Sequence, residues 1–166
     1  MSFSAFFNTL YPESFLSQIS KSHIGIVLFS KQQKADRHFP LTQLDQADAW
    51  IWDHVANQED VYFTVTLQDA AANNALKKTR SSKGACAFPG IWADLDFTDG
   101  SGAHKTLDLP TEAEAREWLA NLPMPFSMIV RTGHGLHAYW LLEMPQLIAG
   151  EEERGAASGL VKGFQA

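Results

Sequence analysis

Two aspartates, Asp94 and Asp96, alternate with apolar residues in the run Gly90-Ile91-Trp92-Ala93-Asp94-Leu95-Asp96-Phe97. In an extended strand, period-two geometry puts both carboxylates on one face and Ala93, Leu95 and Phe97 on the other. Carboxylates two apart on a strand lie roughly 6–7 Å apart at the backbone, within joint reach of one divalent ion. Without a cation they repel each other and resist burial, so a strand carrying them points to a metal or to a polar cleft. The plain alternative is two solvent-facing aspartates near a strand end.

The second informative run is Met128-Ile129-Val130-Arg131-Thr132-Gly133-His134-Gly135-Leu136-His137-Ala138-Tyr139-Trp140. Gly133 and Gly135 permit positive φ and close backbone approach, which suits a hairpin or a phosphate-binding turn. Alternation places His137 with Tyr139 and opposite Leu136, Ala138 and Trp140. A strand histidine is often only a packed residue, but here it follows a threonine and a Gly-x-Gly turn, one helix after the two acids.

The elements that must position these residues read as α+β, a mixed β-sheet with packed helices. Strands are expected at His23 to Ser30, Asp60 to Leu67, 90–97, Phe126 to Arg131, and Leu136 to Leu142, where Pro145 stops the last. Helices are expected over 3–20, interrupted before a second short helix at Pro12, and over Leu41 to Asn57, with Leu44, Ala47, Ile51 and Val55 as its apolar stripe. Thr111 to Glu114 has the form of a capping box, opening a helix to about Asn121 that buries Ala115, Trp118 and Leu119. Lys31 to Pro40 reads as a polar loop and Thr98 to Ala103 as a glycine-rich turn. Leu147 to Ala166 begins like a helix that its glycines weaken. Gln68 to Lys83 reads as a flexible charged loop holding the densest basic cluster: Lys77, Lys78, Arg80 and Lys83.

The 166 residues make one domain's worth of chain, 45% hydrophobic and 19% charged, as in ordinary globular proteins. No apolar run approaches the ~18–20 residues of a membrane span, and no leader pattern opens the chain, so a cytoplasmic protein without a membrane partner is expected. The single cysteine, Cys86, excludes an internal disulfide and a multi-cysteine zinc site. A net charge of −6 argues against coating nucleic acid non-specifically, though not against holding it in one local groove.

The acidic strand and the strand–turn–strand resemble the first two motifs of archaeo-eukaryotic-type primases. More narrowly, they resemble the primase–polymerase and RepB-like primase domains of plasmids, phages and integrated elements. The matching residues are Trp92-Ala93-Asp94-Leu95-Asp96 and Arg131-Thr132-Gly133-His134-Gly135-Leu136-His137-Ala138-Tyr139-Trp140, with Asp60-Val61-Tyr62-Phe63 resembling an upstream strand of these domains. The resemblance implies a domain over 1–166, with residues 1–67 as a supporting half and 88–145 as an RRM-like catalytic half. It implies a metal-dependent nucleotidyltransferase that makes primers on single-stranded DNA from NTP or dNTP, in phage or plasmid replication and alongside a helicase.

By the same resemblance, Asp94 and Asp96 bind Mg²⁺ or Mn²⁺, which prefer carboxylate oxygens, phosphates and water. His137 contacts the triphosphate, and Thr132, Gly133, Gly135 and Arg131 join it in nucleotide binding. Lys77, Lys78, Arg80 and Lys83 are the candidate template contacts. Two departures stand out. Thr132 replaces the usual serine, and the family's third carboxylate motif is not found after Trp140, so a piece truncated before that motif or a degenerate copy is expected. The alternative is a non-catalytic replication module that binds nucleotide or single-stranded DNA. A sugar-nucleotide transferase using D-x-D, and a zinc site from His104, His134 and His137, are weaker readings.

Overall fold

The run IGIVLFS forms β1 (Ile24–Ser30), whose β-branched and aromatic residues suit a half-buried pleated surface. The computed structural model describes all residues except 1, 20–21, 33–34, 99–107, 134 and 166. It divides into two units, Met1–Pro89 with Met144–Ala157, and Gly90–Glu143 with Ser158–Ala166. In the first unit β1 pairs antiparallel with β2 (Ala35–Pro40) along one side. Along its other side lie β3 (Tyr62–Phe63) and β4 (Leu67–Asp69) in succession, also antiparallel.

Residues directly opposite in antiparallel strands share a face. The register therefore puts Ile26, Leu28, Phe39 and Phe63 on one side of this sheet. That side is covered by α1 (Phe3–Leu10) and α3 (Leu44–Ala56), through Phe6 edge-on to Phe63 at 5.2 Å and Trp50 against Phe39 at 6.1 Å. Ser2 caps α1 by accepting from Ala5 N–H, and Pro12 precedes the short α2 (Glu13–Leu16) as expected. The opposite side of the sheet carries Phe29, Asp36, His38 and Tyr62.

Tyr11 joins these layers. Its ring is buried, and its hydroxyl lies 2.8 Å from Val65 O and 3.1 Å from Ala87 O while accepting from Leu67 N–H at 3.2 Å. It fills the place where the pairing of β4 with β5 (Ala85–Asp96) shifts register between Leu67 and Gln68. Burial pushes its phenol well above the usual range, so the group stays protonated and able to donate.

The second unit follows the order strand, helix, strand, strand. The end of β5 leads to α5 (Glu112–Ala120), then β6 (Met128–Arg131) and β7 (Gly135–Leu147). The last helix, α6 (Glu151–Gln165), starts in the first unit and ends in the second. Thr111 and Glu114 form the capping box of α5. Among the described residues the first unit's strand order is β2-β1-β4-β5, with β3 beside β1, and the second unit's is β5-β7-β6. β6 and β7 are antiparallel, and β7 opposes β5 as well: Cys86 accepts from Ile148 N–H, and Leu95 O lies against Gly135. The pairings between strands are antiparallel where a mixed sheet was expected. The crossover from β5 through α5 sets β6 one position away, and β7 fills the gap antiparallel to both.

Other expectations are corrected in detail. Residues 35–40 form a strand rather than a loop, because β2 is an edge, where charged residues and Pro40 are tolerated. The run at 60–67 splits into β3 and β4. Residues 70–75 form a helix, α4 (Ala70–Ala75), capped by the Asp69 carboxylate, within what reads as a loop. β7 continues through Pro145, beyond the stretch paired with β6, where a missing N–H breaks no ladder on that side. In α3 Ala47 is buried as expected, but His54 is buried while Val55 is exposed; in α5 Trp118 is exposed at 54%. α6 forms despite three interior glycines, held partly by Phe164 against Trp140 at 4.5 Å. Residues 99–103 of the expected glycine-rich turn lie outside the described residues. No described helix is long and apolar enough to cross a membrane.

Tyr11→Phe keeps the ring and removes the hydroxyl, leaving Leu67 N–H without that acceptor. The variant should lose about 1–3 kcal/mol of unfolding free energy. The measurement is a urea titration, and an unchanged midpoint contradicts this role for the hydroxyl.

Candidate functional site

Asp94 and Asp96 both lie exposed on one face at the end of β5, as alternation predicts. The antiparallel register brings β7 alongside, so that His137 Nε2 lies 3.2 Å from Asp94 Oδ1. Tyr139, two residues on and on the same face, points its hydroxyl at His137 Nδ1 at 3.5 Å, with the rings edge-on. A carboxylate oxygen of Asp94 can only accept, so a ring proton on Nε2 suits this contact and leaves Nδ1 as an acceptor toward the Tyr139 hydroxyl. Burial first, and then the Asp94 charge, push the Tyr139 phenol above its ordinary range, which keeps it a donor. Tyr139 was legible only as a face-mate of His137; its part in holding the imidazole emerges from the register.

The turn before β7 is built as its residue types suggest. Thr132 N–H donates to Gly135 O at 3.0 Å, and Gly133 has φ +103°, a conformation that L side chains rarely adopt. Gly135 is required for a different reason, close approach. A Cβ there would lie 2.8 Å from Leu95 O, 3.3 Å from Thr132 Oγ1 and 3.5 Å from Asp96 Oδ1. Those distances place the Thr132 hydroxyl and the Asp96 carboxylate both close to the Gly135 Cα. Asp94, Asp96, Thr132, Gly135 and His137 thus converge within the second unit.

Arg131 does not join them. It opposes Leu136 in the β6–β7 ladder and so shares Leu136's face, the reverse of His137's. There its guanidinium stands over the Phe97 ring at 5.6 Å and donates to Glu112 Oε2 at 3.0 Å. Arg116 binds the other oxygen of Glu112 through Nε and Nη2, at 2.9 and 2.8 Å. Hydrogen bonds from Arg116 and then Arg131 hold the Glu112 carboxyl below its ordinary range. Glu112 was missed as a partner because it reads only as part of a capping sequence. The same face bears an open groove of about 690 Å³, lined by Leu95, Leu109, Pro110 and Trp118.

The basic cluster lies in the first unit and is not a floppy loop. The buried Asn73 side chain donates to Thr79 O and Gln68 Oε1 and accepts from Ser81 Oγ at 2.6 Å. Arg154 donates to Ser82 O at 2.8 Å and Lys83 O at 3.1 Å. Lys77 takes a left-handed φ of +53°. With its backbone held inward, the segment turns Lys77, Lys78 and Lys83 out to solvent, while Arg80 pairs with Asp36 at 3.0 Å.

A divalent cation fits the donor set at the two acids, since Mg²⁺ and Mn²⁺ are bound by one or two carboxylates with phosphate and water completing the shell. Among the described residues, no group of three or more His, Cys, Asp or Glu side chains is gathered to hold an ion. His104 and His134, the other members of the zinc reading, lie outside the described residues. Comparison with protein-family models, with curated proteins and with solved structures finds no match for this chain.

Two predictions follow the geometry. Gly135→Ala should lower the melting temperature, because Leu95 O must move; overpacking of this kind costs about 1–3 kcal/mol. The Glu112 pairs should show in pH. A carboxyl whose folded pKa lies below its ordinary 4.5 stabilises the fold above that pH, and the contribution is lost as pH falls through the folded value. Glu112→Gln should therefore melt below wild type at neutral pH, with the gap closing on acidification. A gap that stays constant across that window counts against the pairing.

Proposed function

We propose that this chain is a metal-dependent nucleotidyltransferase domain of the primase–polymerase type, acting on NTP or dNTP with a single-stranded DNA template. The observation that carries this reading is the meeting of the D-x-D strand with His137 across the β5–β7 ladder, at 3.2 Å and beside a glycine turn. The strand–helix–strand–strand order of the second unit supports an RRM-like catalytic half. The resemblance of both motifs to primase domains of plasmids and phages supplies the reaction class, a replication setting and a helicase partner.

In this reading Asp94 and Asp96 hold Mg²⁺ or Mn²⁺. The metal would stabilise charge on the attacking 3′-hydroxyl oxygen and on the leaving pyrophosphate oxygen. The chain's own residues bind and orient the nucleotide. Thr132 Oγ1 and the backbone N–H groups around Gly133 and Gly135 are donors to phosphate oxygens. His137 donates from Nε2, held in that orientation by Tyr139, to a phosphate oxygen arriving next to Asp94. Arg131, on the reverse face with Glu112, is left out of the phosphate set.

A second reading, a non-catalytic nucleotide- or DNA-binding module, is favoured by one observation. No third carboxylate gathers with the two aspartates among the described residues. A calorimetric titration of nucleoside triphosphate with Mn²⁺ tests the site itself. Wild type should bind, and Asp94→Asn/Asp96→Asn should weaken binding at least tenfold with its melting curve intact. Equal affinity in both folded proteins would sink the metal–nucleotide site. Primer synthesis on a single-stranded template then separates the catalytic reading from the binding module.

A further inference from the structure

We infer that the outward face of α3 is a docking surface for a basic amphipathic helix of a partner protein. The face is built around Trp52, exposed at 66%, with Val55 at 47% beside it. Ala49 and Ala56, also exposed, lie one turn away on either side of Trp52, so the three form a line along the helix. The inward face of the same helix is already occupied. Ala47 and His54 are buried there, and Trp50 packs against Phe39 and stacks on His54 at 3.6 Å. Trp52 thus takes no part in covering the sheet. Tryptophan is among the residue types that most often anchor an interface, and here it stands open beside a second large apolar side chain.

Charge decides what can cover this stripe. Asp45 and Asp53 are exposed along it, and neither α3 nor the neighbouring α1 contains a lysine or an arginine. Asp48 is committed to α1, where it accepts from Ser4 Oγ. Arg37, on the edge strand β2, stands over the Phe39 ring at 4.9 Å. An apolar stripe whose own helix supplies only anions complements a ligand that is apolar on one side and cationic beside it. A second copy of the chain would bring only further carboxylates to the contact, a like-charge cost that disfavours self-pairing. The same carboxylates repel nucleic acid and anionic lipid. The occupant is helical for a backbone reason. A helix offers no free ladder to an added strand, whereas its side-chain ridges fit the grooves of a second helix, and the two alanines leave room around Trp52.

This surface uses none of the residues of the candidate nucleotide site, so the two readings stand or fall separately. The probe is a phage-displayed library of random peptides about 16 residues long, enough at ~1.5 Å per residue to lie along all of α3. Peptides retained by wild type should carry Lys or Arg beside large apolar residues at helical spacing, and should gain helical circular dichroism on binding. A synthetic copy of a retained peptide should bind folded Trp52→Ala at least tenfold more weakly. Asp45→Asn/Asp53→Asn should weaken binding several-fold at low salt and flatten its salt dependence, which keeps the test decisive should Trp52→Ala fail to fold. Both variants should keep the wild-type Mn²⁺–nucleotide titration. No retained peptide, retained peptides without an excess of basic residues, or full affinity in either folded variant overturns the proposal. So does a wild-type dimer in sedimentation velocity that Trp52→Lys dissolves, which assigns the stripe to a second copy.

Discussion

The register between β5 and β7 is the constraint on which the candidate site depends. Leu95 O lies against Gly135, and this sets Asp94 beside His137 and Asp96 beside Thr132. A slip of one residue would turn the acids to the helix side and the apolar residues to solvent. The slip is resisted from both strands, because Leu136, Ala138 and Phe97 are buried on that helix side. Gly135 adds a local lock, since only a residue without Cβ lets the two backbones come this close.

The two faces of this part of the sheet divide the charges. One face bears Asp94, Asp96 and His137, with Tyr139 orienting the imidazole. The other bears Arg131, committed to Glu112 and stacked over Phe97. An arginine beside the acids would neutralise them and compete with a cation for their oxygens. Its placement on the reverse face, paired with Glu112, keeps its charge away from Asp94 and Asp96.

In the first unit, buried polar side chains do the work that regular structure does elsewhere. Tyr11 completes hydrogen bonding at a register shift, and Asn73 with Gln68 secures the segment after α4. Buried polar groups without partners are costly, so such networks hold a single backbone path. A stretch that reads as charged and shapeless is in consequence a defined surface carrying outward lysines.

How much was legible in the sequence differs by type of information. The acidic strand, the capping box at Thr111, the glycine turn and the existence of α3 follow from period, cap and turn chemistry, which are local. The edge strand β2 was not legible, because an edge tolerates the polar residues and the proline that elsewhere mark a loop. Nor was the burial of His54 over Val55, since helical period gives a stripe but not its bounds. By itself the sequence determined which residues have the chemistry for metal and phosphate, and that Asp94 and Asp96 share a strand face. Only the tertiary structure decided that His137 meets Asp94 and that Arg131 turns away to Glu112. Those are contacts between strands, and they depend on cross-strand register, which no local pattern encodes.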